Sequence, residues 1–330
     1  MKIIFLTISF LLFFSLGLFA QKVEYGLQFE GIGDNREFFS GYSEPETILG
    51  SRIGFDIGTS IDSIHHIRAG LSYLYEFGTE FPGKELHPIL YYSVDNGLWK
   101  FNMGAYPRNS VIDFPVAILS EKYGYYNPTV DGLFLGYKKP DWNANVFVDW
   151  VSRIDSVKRE QFMAGVSGVA TPGNFIAEGY WYLFHNRPNF QRLEGEHIKD
   201  YMGALALVGY NFSSIVPLNI LTLKVGVLNS LYRDRGNGLA FEAVNSAYVD
   251  FHAAYKGFGA KSVLNFGSPH HFAFGDEFFN HTTRYIRTDL YFTPLNTKHV
   301  KGTFSWSFHV ANSKVDNSQQ FNLIYIFSPL

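Results

Sequence analysis

The chain has 330 residues, a formal net charge of -3 and no cysteine. The near-neutral charge gives no support for nucleic-acid binding, so we expect no nucleic-acid partner. Without cysteine, neither a disulfide framework nor an acyl-cysteine lipid anchor can form. Aromatic residues make up 18% of the chain, which is high for a protein that contains no long apolar run after its first twenty residues.

Residues 1–20 form a segment of their own. Lys2 supplies a positive charge, an almost continuous apolar stretch follows, and Ala20 precedes Gln21. The stretch is near the minimum length for crossing a membrane, and strand-like sequence starts directly after it. We therefore predict a cleaved signal peptide over 1–20, with an uncleaved anchor as the alternative, and a single domain over 21–330.

The remaining chain alternates apolar and polar residues in segments of about ten. Along 300–310, Phe304, Trp306 and Phe308 fall on one face and Ser305 on the other. A period of two with such different faces indicates strands that have lipid on one side and water on the other. The pattern predicts an all-β protein, a single transmembrane antiparallel up-and-down β-barrel. A soluble β-sandwich is the alternative.

About sixteen strands can be counted, with fourteen as the alternative. Short, turn-like connections alternate with long ones, as in barrels with short periplasmic turns and long extracellular loops. The long connections are predicted at 31–46, 108–128, 187–200, 233–242 and 268–283.

The inward face of the predicted strands carries charges of both signs. A dry interior could not hold so many ions, because each unpaired buried charge costs several kcal/mol, roughly. We expect a wet lumen, and a narrow lumen closed by ion pairs is the alternative. The inward charged candidates are Arg52, Arg68, Lys100, Lys224, Lys261, Arg287, Lys301, Glu24, Asp56, Glu76, Asp149, Asp250 and Asp289.

The connection 108–128 contains an apolar run over 111–119 that should pack inside the barrel mouth. In this respect the chain resembles the sixteen-stranded general porins of Gram-negative outer membranes, in which an outer loop folds inward and faces basic wall residues. The resemblance implies a constriction formed by Asp113, Glu121, Arg52, Arg68 and Lys100. It also implies transverse charges that order water and favour small polar solutes. The loop is more apolar than the porin pattern, and the chain does not end on an aromatic residue.

Three tyrosines follow the apolar run, namely Tyr123, Tyr125 and Tyr126. They are candidates for stacking on sugar rings, and packing or membrane-girdle roles are the alternative. The Ala20–Gln21 junction and the abundance of Tyr and Phe are similar to outer-membrane proteins of Bacteroidota.

We predict a porin-like outer-membrane channel for passive diffusion of small polar solutes, with saccharides among the candidates. Its other partners would be outer-membrane lipid and lipopolysaccharide, and a homo-oligomer is one option. One alternative is a closed structural or assembly barrel that docks a partner through 187–200 and 268–283. Another is a barrel-rim hydrolase that uses His281 or His309. No serine lies in a G-x-S-x-G setting and no histidine spacing fits a metal site. The sequence therefore predicts no enzyme activity, no cofactor and no metal.

Overall fold

The computed structural model describes residues 21–80, 86–191 and 193–327. Within them the chain forms one closed barrel in which each strand pairs antiparallel with its neighbours in sequence, and β1 pairs with β16 to close the sheet. This confirms the predicted antiparallel barrel with sixteen strands rather than fourteen. The predicted signal peptide and its cleavage site lie outside the described residues.

The strands run for 9 to 17 residues. They are β1 Gln21–Glu37, β2 Glu46–Ile61, β3 His65–Glu76, β4 Leu86–Asp95, β5 Trp99–Pro107, β6 Thr129–Lys139, β7 Trp142–Ser152, β8 Glu160–Ala170, β9 Phe175–Arg187, β10 Lys199–Asn211, β11 Ile220–Asp234, β12 Glu242–Tyr255, β13 Phe258–Gly267, β14 Arg284–Asn296, β15 Val300–Ala311 and β16 Lys314–Phe327. β1 extends seven residues into the predicted connection 31–46, because this polar segment is paired with β16 and β2.

The outward side chains form an apolar belt. Val23, Phe55, Leu90 and Trp306 are each at least half exposed. So much exposed apolar surface is stable only against hydrocarbon, as on transmembrane barrels of the outer-membrane type. In the part of the chain that the structure describes, no helix has the length and apolar character to cross a membrane.

Two of the connections fold into the barrel. We call them L3 (residues 108–128) and L7 (residues 268–283), and together the plug. L3 contains helix α1 (Glu121–Tyr126), which begins where the Ser120 side chain accepts a hydrogen bond from the Tyr123 amide. L7 contains helix α2 (Glu277–His281), capped in the same way by Asp276. An oxygen-bearing side chain at this position satisfies a free amide of the first turn.

L3 contacts the wall around most of the circumference. The Phe114 ring lies 5.7 Å from the Phe147 ring on β7. On the other side, Lys122 Nζ lies 2.6 Å from a carboxylate oxygen of Glu46, at the start of β2. A loop that contacts both of these strands must lie inside the barrel. Ile118, at its centre, is fully buried.

L7 packs against L3 inside the same mouth. The Ser120 amide donates a 2.7 Å hydrogen bond to the Phe274 carbonyl, and the Asp276 amide donates one of 3.0 Å to the Val116 carbonyl. Gly275 permits this approach, because a Cβ there would lie 2.2 Å from the Ala117 carbonyl oxygen. Most of L7 is therefore interior. The exposed residues of L7, which include His271, Glu277 and His281, are those that remain for the predicted docking of a partner.

Candidate functional site

The plug divides the lumen into separate spaces. We define the outer cleft as the cavity of about 410 Å³ at the end of the barrel that carries the long loops, bordered by Arg36, Glu121, His309 and Ser318. The inner cavity, of about 350 Å³, lies on the other face of L3. The side cavity, of about 490 Å³, borders the turn at Gly97, and the vestibule, of about 580 Å³, borders the turn at Gly257.

Glu121 and Arg287 form the partition between these spaces. Glu121 borders the outer cleft, the inner cavity and the vestibule. Its carboxylate lies 2.9 Å from the guanidinium of Arg287, which also contacts Asp289 at 2.8 Å and Asp276 at 3.6 Å. Burial alone would raise the pKa of Glu121, but the charge of Arg287 and a hydrogen bond from Gln320 hold it below its ordinary value. Burial raises the pKa of Asp276.

The structure brings together only some of the predicted constriction residues. Arg52, Asp113 and Glu121 border the inner cavity, and Lys100 shares the side cavity with Asp113. Arg68 lies apart from them and pairs with Glu24 at 3.1 Å and with Asp56.

Both predicted carboxylates differ from the expected arrangement. Arg52 pairs with Glu30 at 2.5 Å, and Glu121 pairs with Arg287 rather than with Arg52, Arg68 or Lys100. Among the described residues Asp113 has no ion pair within 4.0 Å. The basic residues are thus neutralised largely by carboxylates of the wall itself.

The three predicted stacking tyrosines take part in packing. Tyr123 lies against Phe274, with ring centroids 4.3 Å apart, and burial raises its pKa to about 12. Tyr125 and Tyr126 pack against the small wall cluster of Ile32, Ile48 and Leu74. Tyr123 and Tyr126 also border the outer cleft, whereas Tyr125 borders the inner cavity.

A series of hydrogen-bonding groups borders the outer cleft. His309 Nε2 lies 3.4 Å from Ser318 Oγ, and His309 Nδ1 lies 2.7 Å from the Tyr285 hydroxyl. That hydroxyl lies 3.5 Å from a carboxylate oxygen of Asp276. A serine, a histidine that can take its proton and a group that orients the histidine are the parts of a nucleophilic ester-cleaving site. We call this arrangement the serine–histidine series.

The barrel register places the series. His309 on β15 is paired with Arg287 on β14 and with Asp316 on β16, so its inward side chain reaches both neighbouring strands. The two-residue turn Asn312–Ser313 fixes that register with positive φ values of 47° and 75°. Such a turn sets the pairing of the strands that it joins, and a slip by one residue would turn Ser318 outward.

A second histidine, His270, has a different environment. Its Nδ1 lies 2.9 Å from Ser230 Oγ and its Nε2 lies 2.7 Å from Ser246 Oγ. His270 is 1% exposed, and burial, with a smaller contribution from the charge of His271, lowers its pKa to about 4. His270 borders none of the four spaces above, so it fastens L7 to β11 and β12 as a neutral ring.

The sequence does not single out Ser318 and Tyr285 as partners of His309. Alternation on β14 and β15 puts Tyr285 and His309 on the inward face, but Ser318 lies in the polar run 316–320, where no alternation is visible. What the sequence lacked was the register. Within the described ranges, no group of three His, Asp or Glu side chains is placed to hold a metal ion.

Several solved structures share this fold at very low sequence identity. An outer membrane protein of Vibrio cholerae, OmpT with loop L8 deleted, matches with a TM-score of 0.56 and 11% identity over 93% of this chain and 100% of that one. The anion-selective porin from Comamonas acidovorans matches with a TM-score of 0.54 and 10% identity, over 93% and 100%. OccK2 (OpdF) of Pseudomonas aeruginosa matches with a TM-score of 0.51 and 11% identity, over 94% of this chain and 100% of that one.

These likenesses confirm a porin-like outer-membrane barrel fold and carry no further information about activity. No curated protein matches the chain. The sequence model described as Lipid A 3'-O-deacylase-type matches residues 19–328. Because this is a family of enzymes, the prediction that the protein has no enzyme activity is wrong. The chain belongs to the Lipid A 3'-O-deacylase-type family.

Proposed function

We propose that the protein is an outer-membrane ester hydrolase that removes an O-linked acyl chain from a lipid of the lipid A type. The observation that carries the proposal is the serine–histidine series at the border of the outer cleft. Ser318 is the proposed nucleophile, His309 the general base, and Tyr285 the group that orients the imidazole.

The proposed reaction follows from the order of the contacts. Ser318 Oγ attacks the ester carbonyl carbon while its proton passes to His309 Nε2. His309 Nδ1–H donates to the Tyr285 hydroxyl, which donates in turn to Asp276. The tetrahedral intermediate collapses, and the released alcohol oxygen takes the proton from His309. Water then attacks the acyl-serine ester while His309 accepts a proton from it. His309 returns this proton to Ser318 Oγ as the C–O bond breaks and the fatty acid leaves. Contacts of 3.4–3.5 Å are long, as is usual for a catalytic site without substrate.

The surroundings fit an acyl ester substrate. The series lies within a few residues of the long-loop ends of β14, β15 and β16, the level of the barrel that faces the outer leaflet in the proposed orientation. Phe38, Val116 and Phe274 give the cleft apolar surface for an acyl chain. Arg287 borders the same cleft.

The test uses the purified barrel in lipid vesicles that contain lipid A. Mass spectrometry follows the loss of one acyl chain and the appearance of the free fatty acid. We expect Ser318→Ala to lower the rate by about 10³-fold or more, because the nucleophile is lost. We expect Tyr285→Phe to lower it by roughly tenfold, since the imidazole loses its orienting contact.

Ser307 provides the matched control. It is a buried, inward serine paired in register with Ser318, and its hydroxyl has no hydrogen-bond partner in the structure. Ser307→Ala should keep the full rate. Equal rates in Ser318→Ala and the unchanged protein would refute the proposal, as would absence of acyl release from the unchanged protein.

A second candidate function is passage of small polar solutes, saccharides included, for which Asp113, Glu121, Arg52, Arg68 and Lys100 were predicted as a constriction. The observation in its favour is that three of the four spaces border the side chain of Glu121, on a loop inside the lumen. Planar-bilayer recordings test it: discrete conductance steps would support this candidate, and a silent membrane would contradict it. Under either candidate we propose export by a cleaved signal peptide into the outer membrane of a Gram-negative bacterium, of the Bacteroidota type, where lipopolysaccharide and surrounding lipid contact the barrel.

A further inference from the structure

The inner cavity is separate from the serine–histidine series and has two chemically different sides. One side is L3, which presents Ile112, Phe114, Val116 and Leu119. The opposite side is the wall of β1, β2 and β3, which presents polar side chains. Its volume of about 350 Å³ falls at the small end of the range for ligand pockets.

Most charged side chains that border the cavity, on the wall and on L3, are already ion-paired. Arg52 pairs with Glu30 at 2.5 Å, and Arg108 pairs with Asp149 at 2.6 Å. A charged ligand would have to break these pairs or remain uncompensated, which costs several kcal/mol, roughly. The remaining charged side chain without an ion pair among the described residues at the cavity, Asp113, is exposed to solvent. Water screens an exposed charge, so the cavity favours an uncharged ligand over a charged one.

Uncharged polar groups remain available. In the described part of the chain, the side chains of Gln28, Ser72 and Asn109 border the cavity and make no hydrogen bond to protein. Together they offer amide and hydroxyl donors and acceptors. A ligand with several hydroxyl groups would satisfy them, as water does when the cavity holds no ligand.

Gly124 keeps space open in the cavity. It lies within α1, where glycine costs about 1 kcal/mol relative to alanine. Neither a positive φ nor a close neighbour requires it, because an added Cβ would meet nothing within 4 Å. Gly54 on β2 also has room for a side chain, since an added Cβ would meet only the Gln28 Cβ at 3.8 Å. Both glycines border the cavity.

The inner cavity adjoins two of the other spaces. It shares Asn109, Ile112 and Asp113 with the side cavity, which extends to the turn at Gly97. It shares Val116 and Glu121 with the outer cleft.

We propose that the inner cavity binds a small amphipathic molecule with an uncharged, hydroxyl-bearing head and an apolar body. The apolar body lies against the apolar side chains of L3, and the head is hydrogen-bonded by Gln28 and Ser72 on the wall and by Asn109 at the start of L3. This site does not depend on the proposed hydrolase activity.

The test is calorimetric titration of the barrel in lipid nanodiscs with phenyl β-D-glucoside, which avoids competition from detergent. We expect saturable binding at one site and no saturable binding to empty nanodiscs. Gly124→Leu should weaken binding at least tenfold, because the new side chain fills the cavity. Gly54→Leu should also weaken binding, because it fills the inner cavity from the wall instead of from L3. The two variants are thus independent tests of the same cavity.

Gly179→Leu is the matched control. Gly179 lies on β9 away from the cavity, and an added Cβ there also meets nothing within 4 Å. Each variant is first shown to migrate as a folded barrel on unheated gels. Unchanged affinity in both Gly124→Leu and Gly54→Leu would overturn the proposal. So would tighter binding of phenyl phosphate or benzylamine than of the glucoside, because the head would then be charged.

Discussion

The two halves of the barrel interior differ although the strands that form them are continuous. On β9 and β11 the inward side chains near the long loops are apolar, namely Tyr182, Phe184 and Leu228, and they belong to the buried cluster that includes the plug. Towards the short turns the same strands turn polar, with Glu178 on β9 and Lys224 on β11.

This difference shows that alternation along a strand specifies only which side chains point inward. What the inward residues contact depends on the loops. In the long-loop half the plug converts the lumen into a packed core. In the short-turn half the lumen holds cavities bordered by ions, and many of these ions are paired across strands. The two halves should therefore respond differently to substitution.

The largest effect is expected in the plug core. Phe278 is fully buried and stacks on Tyr285 and His309, with ring centroids 5.0 Å and 4.8 Å away. Phe278→Ala should lower the free energy of unfolding by about 4 kcal/mol, because it leaves a cavity in a packed core. Urea unfolding in lipid vesicles, followed by tryptophan fluorescence, measures this. A loss below about 1 kcal/mol would mean that the plug does not behave as a core.

The second largest loss of stability is expected at the partition formed by Glu121 and Arg287. Arg287→Gln removes the cation that faces Glu121, Asp276 and Asp289. This substitution should lower the free energy of unfolding by about 3 kcal/mol, since buried carboxylates lose their partner. The same urea titration should show that the double variant Arg287→Gln with Glu121→Gln regains part of the lost free energy of unfolding. Additive losses in the double variant would contradict the coupling of these two side chains.

A pH dependence should come from His270. Its pKa of about 4 lies below the ordinary value of 6.5, so between these values the unfolded chain binds more protons than the folded one. Stability therefore falls as the pH drops, by about 2 kcal/mol between pH 7 and pH 5. Unfolding titrations at the two pH values measure this loss. It should diminish in His270→Gln and persist in His271→Gln, whose parent side chain is 43% exposed.

The smallest effect is expected in the vestibule. Lys261 is exposed there, and no carboxylate of the described residues lies within 4.0 Å of it. Lys261→Gln should change the free energy of unfolding by less than about 0.5 kcal/mol, because a solvated cation without a partner contributes little. A loss comparable to that of Arg287→Gln would remove the distinction between the halves.

The sequence by itself determined the barrel and the positions of the long connections, and it favoured sixteen strands over fourteen. Lipid and water on opposite faces require a period of two, and that period is visible without coordinates. It also determined that L3 must pack, since the run from Val111 to Leu119 is too apolar for a solvated loop. The inward direction of His309 follows from the same alternation.

The tertiary structure decided which inward residues meet. Register across β14, β15 and β16 places Tyr285, His309 and Ser318 together although they are up to 33 positions apart in the sequence. The folding of L3 into the lumen pairs Glu121 with Arg287, 166 positions away, rather than with the basic residues of β2, β3 and β5. A strand pattern records only the face on which a side chain lies. Distances between strands depend on closure of the barrel and on how its loops fill it.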